Sequence, residues 1–536
     1  MGRGARRGLL AHTGAMETIV LEQVTLWNPD TLPVPGQTVV LEAGRVAWLG
    51  PADRAPDTSG LREAHVLAGE GRLVTPAFVD AHAHVSATGE VLGGVDLAGT
   101  RSVGEALDRI AEAARQRPGT PVFAHSWDET HWAENRAMTS AELDRASGGG
   151  VVYAPRVDMH AATVSSSLAA VAQVASKDGW DGVGTATRAA QDAVVAAWAA
   201  SVGPDARRRN IAFALDAAAR AGVGTVHEMG APNLTSPDDV RDVVDAGGAG
   251  TVRTDAYWGE WVDDPVRASH LRQALGVIGL GGDLYLDGSF GARNAGLLEP
   301  YSDAPDTTGD LYLTVEEAAT HLVACTRAGV QGGFHAIGDA AVQVAAEALE
   351  EAARQLGDAA VRAAHHRIEH VELPSPQAMR TFARLGVTCS MQPMFEGLWG
   401  GGDDLYATRL GRRWQETNPW RRLDELGAPV CFGSDSPVTP WDPWGALRSC
   451  VRPQNPGGLL TAPRALALHT QAGWHAAGRA GGTLRRGGED DLVLWDTRVP
   501  TVARDLDDWV ADSSTPQALL TVVDGHLAQS SGIPTM

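Results

Sequence analysis

The run VTPAFVD ends in AHAH, so His82 and His84 stand two residues apart at the end of a strand-like stretch. On a strand, positions i and i+2 point to one side, and two imidazoles so placed can converge on one cation. Alone the pair says little, since a chain with 17 histidines produces such spacings by chance. Its company gives it weight. His335 ends GGFH, His370 ends RIEH, and Asp435 ends PVCFGSD. All five residues close apolar, strand-like runs, at the end of the strand where α/β barrels keep their active sites. Several nitrogen donors with a carboxylate, and room for a water, make the donor set of a catalytic zinc-type site.

These residues need a frame that brings distant strand ends together. The middle of the chain alternates strand-like runs (LVTPAFVDAH, PVFAHSWD, VVYAPRVDMH, GTVHEM, GDLYLDG, GGFHAIGD, RIEHVE, VTCSMQP, PVCFGSD) with amphipathic stretches such as TVEEAATHLVACTRAG and DAAVQVAAEALEEAARQLG. The stretches carry the i, i+3, i+4 apolar spacing of helices with one buried face. Repeated β-α units predict a parallel sheet, and about eight of them favour a TIM (β/α)8-type barrel with insertions over a doubly wound sheet. METIVLEQVTLWNPD, QTVVLEAGRVAWLG and HVLAGEGRLV near the start, and DDLVLWDTRV and ALLTVVDGHLAQ near the end, alternate apolar and polar residues between turns. They predict a small β-sandwich built from both termini. The reading assigns 1–15 to an extension outside the fold, 16–72 with 483–536 to the sandwich, and 73–482 to the barrel. Met16 opens the first strand-like segment and rivals Met1 as the translation start.

Composition removes other classes. The formal charge is −22, from 66 acidic and 44 basic residues, and no basic stripe exists to displace counterions from phosphates. A nucleic-acid partner is not expected. No stretch approaches the ~20 apolar residues that span a bilayer, and no apolar run of signal-peptide length follows the early arginines. The four cysteines form no CxxC pair and read as reduced, buried side chains. The expectation is a cytoplasmic enzyme of a small-molecule substrate, without a membrane partner and with homo-oligomerisation left open.

VDAHAH, FHAIGD, RIEH and GSDSP, in this order along nearly the whole chain, resemble the motifs of the amidohydrolase superfamily. HSWDETHW, DMH and LDGSFGARNAGLLEPYSD are most similar to its amidohydrolase-3 group, which includes N-substituted formamide deformylases. The resemblance implies metal ligands at His82, His84, His335 and His370, with Asp435 as a further ligand and general base, and a divalent metal, zinc first among them, as one ion or two. It implies hydrolysis of a non-peptide C–N bond: an amide, a formamide, a cyclic amide or a deamination. A carboxylate beside an activated water can take its proton and pass it to the departing nitrogen, which suits Asp435. A lyase or isomerase on the same site, or a barrel that has lost catalysis, are the competing readings.

The sequence departs from the family pattern at one place. Many relatives bridge two metals with a carboxylated lysine four residues before the Asp-Gly matched here by Asp287-Gly288. This chain has Asp283 there, and its single lysine is Lys177. Asp283 is thus a candidate ligand, with Glu228 of GTVHEM as its rival. Asp287, Arg293, Asp158 and His160 are candidate substrate contacts, Arg293 through its fork of donors. His125, Trp127 and Asp128 are either pocket or packing residues, and His365 and His366 read as structural. Trp399, Trp414 and Trp420 mark a segment that either hangs over the barrel mouth or packs as ordinary core.

Overall fold

The computed structural model of the protein describes residues 18–530 apart from 58–63, 158–160, 233, 248–250 and 490. Asp158 and His160, and the 1–15 extension with Met16, lie outside the described residues. The chain folds as a TIM barrel with a small β-sandwich domain. Eight parallel strands form the barrel: β1 (Phe78–Ala83), β2 (Val223–Gly230), β3 (Arg253–Trp258), β4 (Gly279–Leu280), β5 (Gln331–Ala336), β6 (Arg367–His370), β7 (Thr388–Met391) and β8 (Val430–Phe432). They pair in chain order. The seam between β8 and β1 closes just beyond the strand ends: the Asp435 N–H donates to the His82 carbonyl at 2.7 Å, and the His84 N–H donates to that of Ser436 at 2.8 Å.

The helices follow from their sequence. Val315–Ala328 starts with a capping box, in which Thr314 and Glu317 each satisfy the other's backbone N–H. It stops at Gly329, whose φ of 63° is left-handed. Asp339–Leu356 buries Ala340, Ala341, Val342, Ala345, Ala346, Ala348, Leu349, Ala352 and Ala353. So many alanines let this helix lie close on the strands, where larger side chains would hold it away.

Both termini meet in one sheet, ordered His526–Ser530, Ala518–Val523, Leu492–Trp495, Leu73–Pro76, Thr18–Leu26, Val34–Glu42 and Arg45–Pro51, with Ala64–Ala68 also on Thr18–Leu26. Ile19, Leu21, Val39, Leu41, Leu492 and Val522 supply its core, the inward half of the alternation visible in the sequence. Trp495 anchors it to the barrel. Its ring is fully buried, lies 5.2 Å from Trp444 and 5.9 Å from Phe78 between centroids, and donates through Nε1 to Thr75 Oγ1 at 2.9 Å.

Three expectations need correction. PVFAHSWD and VVYAPRVDMH supply no barrel strand: Val122–His125 and Val152–Pro155 belong to a separate five-stranded sheet inserted between β1 and β2. GDLYLDG is no regular strand either, keeping one bridge from Tyr285 to His335. The strands that replace them are RTDAYW, whose buried Asp255 breaks the apolar pattern, and the two-residue Gly279–Leu280, too short to show a period. The four cysteines are buried and unpaired, and among the described residues no helix is long and apolar enough to cross a membrane.

Replacing Trp495 with Ala should cost about 3–5 kcal/mol, the range for deleting a buried aromatic ring. A denaturation midpoint measured on purified protein checks it; an unchanged midpoint would show that the two parts do not depend on this contact.

Candidate active site at the carboxyl end of the barrel

Five of the barrel's eight strands end in the candidate residues. β1 carries His82 and leads into His84; Asp283 follows β4; His335 lies in β5; His370 closes β6; Asp435 stands three residues beyond β8. Gly433 makes the last approach fit, because a Cβ there would sit 2.4 Å from the His82 nitrogen.

The six side chains meet at one place. His84 Nε2 is 3.1 Å from Asp435 Oδ1 and 3.3 Å from Asp283 Oδ2. His82 Nε2 lies 3.5 Å from an oxygen of each carboxylate, and His335 Nδ1 lies 3.7 Å from Asp283 Oδ1. The His370 ring is 4.4 Å from that of His335 and 4.9 Å from that of His82. Three overlapping trios keep their ligand atoms within 4.8 Å of one another: His82, His84 and Asp283; His82, His370 and Asp435; Asp283, His335 and His370. Every expected ligand is in this group, including Asp283. Its rival Glu228 instead accepts the Val85 N–H at 2.6 Å, at the start of the helix after β1.

Three of the four rings are held by their other nitrogen. His82 Nδ1 is 2.9 Å from Glu369 Oε2, His370 Nδ1 is 2.8 Å from Gln392 Oε1, and His335 Nε2 is 3.1 Å from the Gly288 carbonyl. The atoms left facing the centre, His82 Nε2, His335 Nδ1 and Asp283 Oδ1, are buried without a hydrogen-bond partner. Leaving buried polar atoms unpaired costs about 1–3 kcal/mol each. A divalent cation would satisfy all three together, so the residues fit one.

The electrostatics agree. Burial opposes ionisation of Asp283, yet His82, His335 and His84 hold its carboxyl far below the usual range. Burial likewise opposes a charged His335, but Asp283 beside it raises the imidazole to about 9. His84 is lifted against burial to about 10 by Asp435 and Asp283. His370 goes the other way, because burial dominates and its neighbours His335 and His82 repel a further proton. The two carboxylates thus favour positive charge at this place, and a cation bound there would compete with protons for the same atoms. His370, Val371 and Asp435 also adopt left-handed φ values of 70°, 48° and 57°. Such strain in non-glycine residues clusters at working sites.

The remaining candidates separate. Asp287 does not face the centre freely: its oxygens accept the N–H groups of Ile337, Gly338 and Gly296 at 3.0, 2.8 and 2.9 Å. Burial nevertheless pushes it up to about 6. The fork of Arg293 is engaged by Asp303, at 3.2 and 2.8 Å. His125 and Trp127 make their contacts in and around the inserted sheet, and Asp128 pairs with Arg156. His366 is structural, bonded to Thr326 and to the Gly332 N–H. The tryptophan-rich segment forms helices Pro393–Trp399 and Leu405–Leu410; from it Phe395 stacks on His370, 6.1 Å between centroids. Trp399 packs on Phe395 and Tyr406, while Trp420 is fully buried against Phe432.

Sequence reasoning missed Arg367, Glu369, Gln392 and Tyr285. Arg367 and Glu369 had left a signal, since opposite charges at i and i+2 of an otherwise buried strand must pair with each other. Tyr285 stands 3.4 Å from Asp283 Oδ2 and against His335, in a segment the pattern presented as plain strand.

Residues 66–528 match the model of the family described as Amidohydrolase family. The chain belongs to that family. It is 25% identical to the protein LONG AFTER FAR-RED 3 of Arabidopsis thaliana, over 83% of this chain and 80% of that one. It is 22% identical to the N-substituted formamide deformylase of Arthrobacter pascens, over 96% and 98% of the two chains. Among solved structures, a metal-dependent hydrolase from Pyrococcus furiosus superposes with a TM-score of 0.76 at 24% identity, over 90% of this chain and 99% of that one. This last likeness establishes the fold.

Asp287→Ala would strip three buried backbone N–H groups of their acceptor and should destabilise the protein by more than about 2 kcal/mol. Urea unfolding checks it; a loss below about 0.5 kcal/mol would mean that the loop re-pairs its own backbone.

Proposed function

We propose that this protein hydrolyses a C–N bond outside peptides, of the amide or formamide kind, in a small molecule, with a divalent metal, zinc first among the candidates. The observation that carries the reading is the convergence of His82, His84, His335, His370, Asp283 and Asp435 with buried, unpartnered atoms facing one centre. The kinship along nearly the full length of an N-substituted formamide deformylase supports the bond type.

His82, His84, His335, His370 and Asp435 would hold the metal, and Asp283 would add an oxygen where many relatives place a carboxylated lysine. The trios share His82, His370 and Asp283, so the donors suffice for one ion or two. When bound, the metal lowers the pKa of its water to about 7 and polarises the carbonyl under attack. The protein's own groups do the rest. Asp435, with Oδ1 among the imidazoles, takes the proton of the attacking water and returns it to the departing nitrogen. Phe395 and the helices behind it shield one flank from solvent, which strengthens the electrostatic interactions inside.

Metal analysis of the purified protein should find zinc or a related divalent ion. A panel of amides, N-substituted formamides and hydantoin-like rings should contain a substrate whose product takes oxygen from labelled water. His335→Ala should abolish turnover. Asp435→Asn should keep metal on the four imidazoles yet lose about 10²–10⁴-fold in kcat, the size of a lost general base. A sample that holds no metal and is not activated by zinc, manganese or cobalt would overturn the proposal.

A further inference from the structure

Beneath the site lies a group of buried charges that the proposed chemistry does not use. Arg367 and Glu369 sit two residues apart on β6, on the same side of the strand, and both are fully buried. Arg367 Nε donates to Glu369 Oε1 at 2.5 Å, and Nη2 donates to Oε2 at 2.8 Å. The same Nη2 donates to the Ala81 carbonyl at 2.7 Å, one residue before His82. Nη1 meets His227 Nδ1 at 3.1 Å, and the guanidinium carbon lies 4.5 Å from the centre of the Tyr257 ring. The guanidinium is thus gripped from β1, β2, β3 and β6. Its partner Glu369 then reaches His82 Nδ1 at 2.9 Å.

We propose that Arg367 and Glu369 are positioning residues that prepare His82 as a metal ligand, by fixing its Nδ1 on Glu369 and so directing Nε2 at the site before any ion arrives. The inference rests on the metal-site reading above. Its physical content is specific. A carboxylate on one ring nitrogen selects the tautomer, fixes the ring plane and makes the other nitrogen a better donor. Glu369 could not do this alone, because a free carboxylate in the barrel interior would rotate or protonate. Arg367, held by four strands, locks both of its oxygens in a bidentate fork. His82 needs such help more than His84, whose side chain is the more exposed of the two, at 18% against 0%.

The test is zinc affinity, measured by chelator competition on metal-stripped protein, alongside the melting temperature of the same metal-free samples. Glu369→Gln should weaken zinc binding about 10–100-fold, the usual effect of losing a carboxylate behind a ligating histidine. Glu369→Asp should fall between this variant and the parent. Because Glu369→Gln leaves the Arg367 charge buried without its partner, it could fail to fold. The double variant Arg367→Met/Glu369→Gln removes both charges, which proteins commonly tolerate, and it should fold yet show the same loss of zinc. A double variant that binds zinc within twofold of the parent overturns the proposal, and a lowered melting temperature with unchanged zinc affinity does so as well, making the pair ordinary core. Parent protein that takes up no zinc would instead sink the metal-site reading itself, so the two failures are distinguishable.

Discussion

The arrangement of this molecule depends on the cost of keeping ionisable groups out of water. Four imidazoles and two carboxylates share one small volume at the barrel mouth, most of them buried. A buried charge is tolerated when it is paired and hydrogen-bonded, and is expensive otherwise. Each outward nitrogen of His82, His335 and His370 has a fixed partner, so these rings cannot turn aside to relieve the crowding at the centre. What remains uncompensated points inward. Three buried polar atoms without partners, His82 Nε2, His335 Nδ1 and Asp283 Oδ1, thus face one point, where a single cation would answer them together.

The barrel seam and the site are the same piece of backbone. The hydrogen bonds that join β8 to β1 run through His82, His84, Asp435 and Ser436. The first and last elements of the barrel are therefore brought into register by residues of the candidate site itself. Any slip of one strand against the other would move Asp435 away from the two imidazoles, since neighbouring positions on a strand face opposite sides. Gly433 allows the contact by leaving no Cβ between the strands. The left-handed backbone at His370 and Asp435, a cost of about 1–3 kcal/mol each, is absorbed by the surrounding packing.

Around this fixed centre, the chain varies its attachments. The inserted sheet between β1 and β2 has its own cores, built on residues such as Leu97, Ile110 and Leu143, or Leu168 and Trp198. The segment after β7 lays Phe395 on the His370 imidazole and fastens to the segment after β4: Arg413 donates to the carbonyls of Glu299 and Pro300, at 2.9 and 2.6 Å. A rigid barrel with adaptable cover is how one fold serves many substrates, and family membership accordingly narrows the chemistry before it narrows the substrate.

The sequence by itself determined the candidate histidines and aspartates and their order, because residue identity and the short apolar runs before them are local. It also determined the two-ended sheet, whose alternation is local. It excluded a lysine at position 283, since identity needs no coordinates. Only the tertiary structure decided which strands make the barrel: PVFAH and VVYAP are as apolar as barrel strands, and what separates them is the partner they pair with. Only tertiary structure put Asp283 against His84 and Glu228 on the Val85 N–H, since both are acids near strand ends and the sequence does not say what each meets. Arg367 and Glu369 show the limit most clearly. Their pairing is local, but its consequence for His82, nearly 300 residues away, exists only once the barrel has closed.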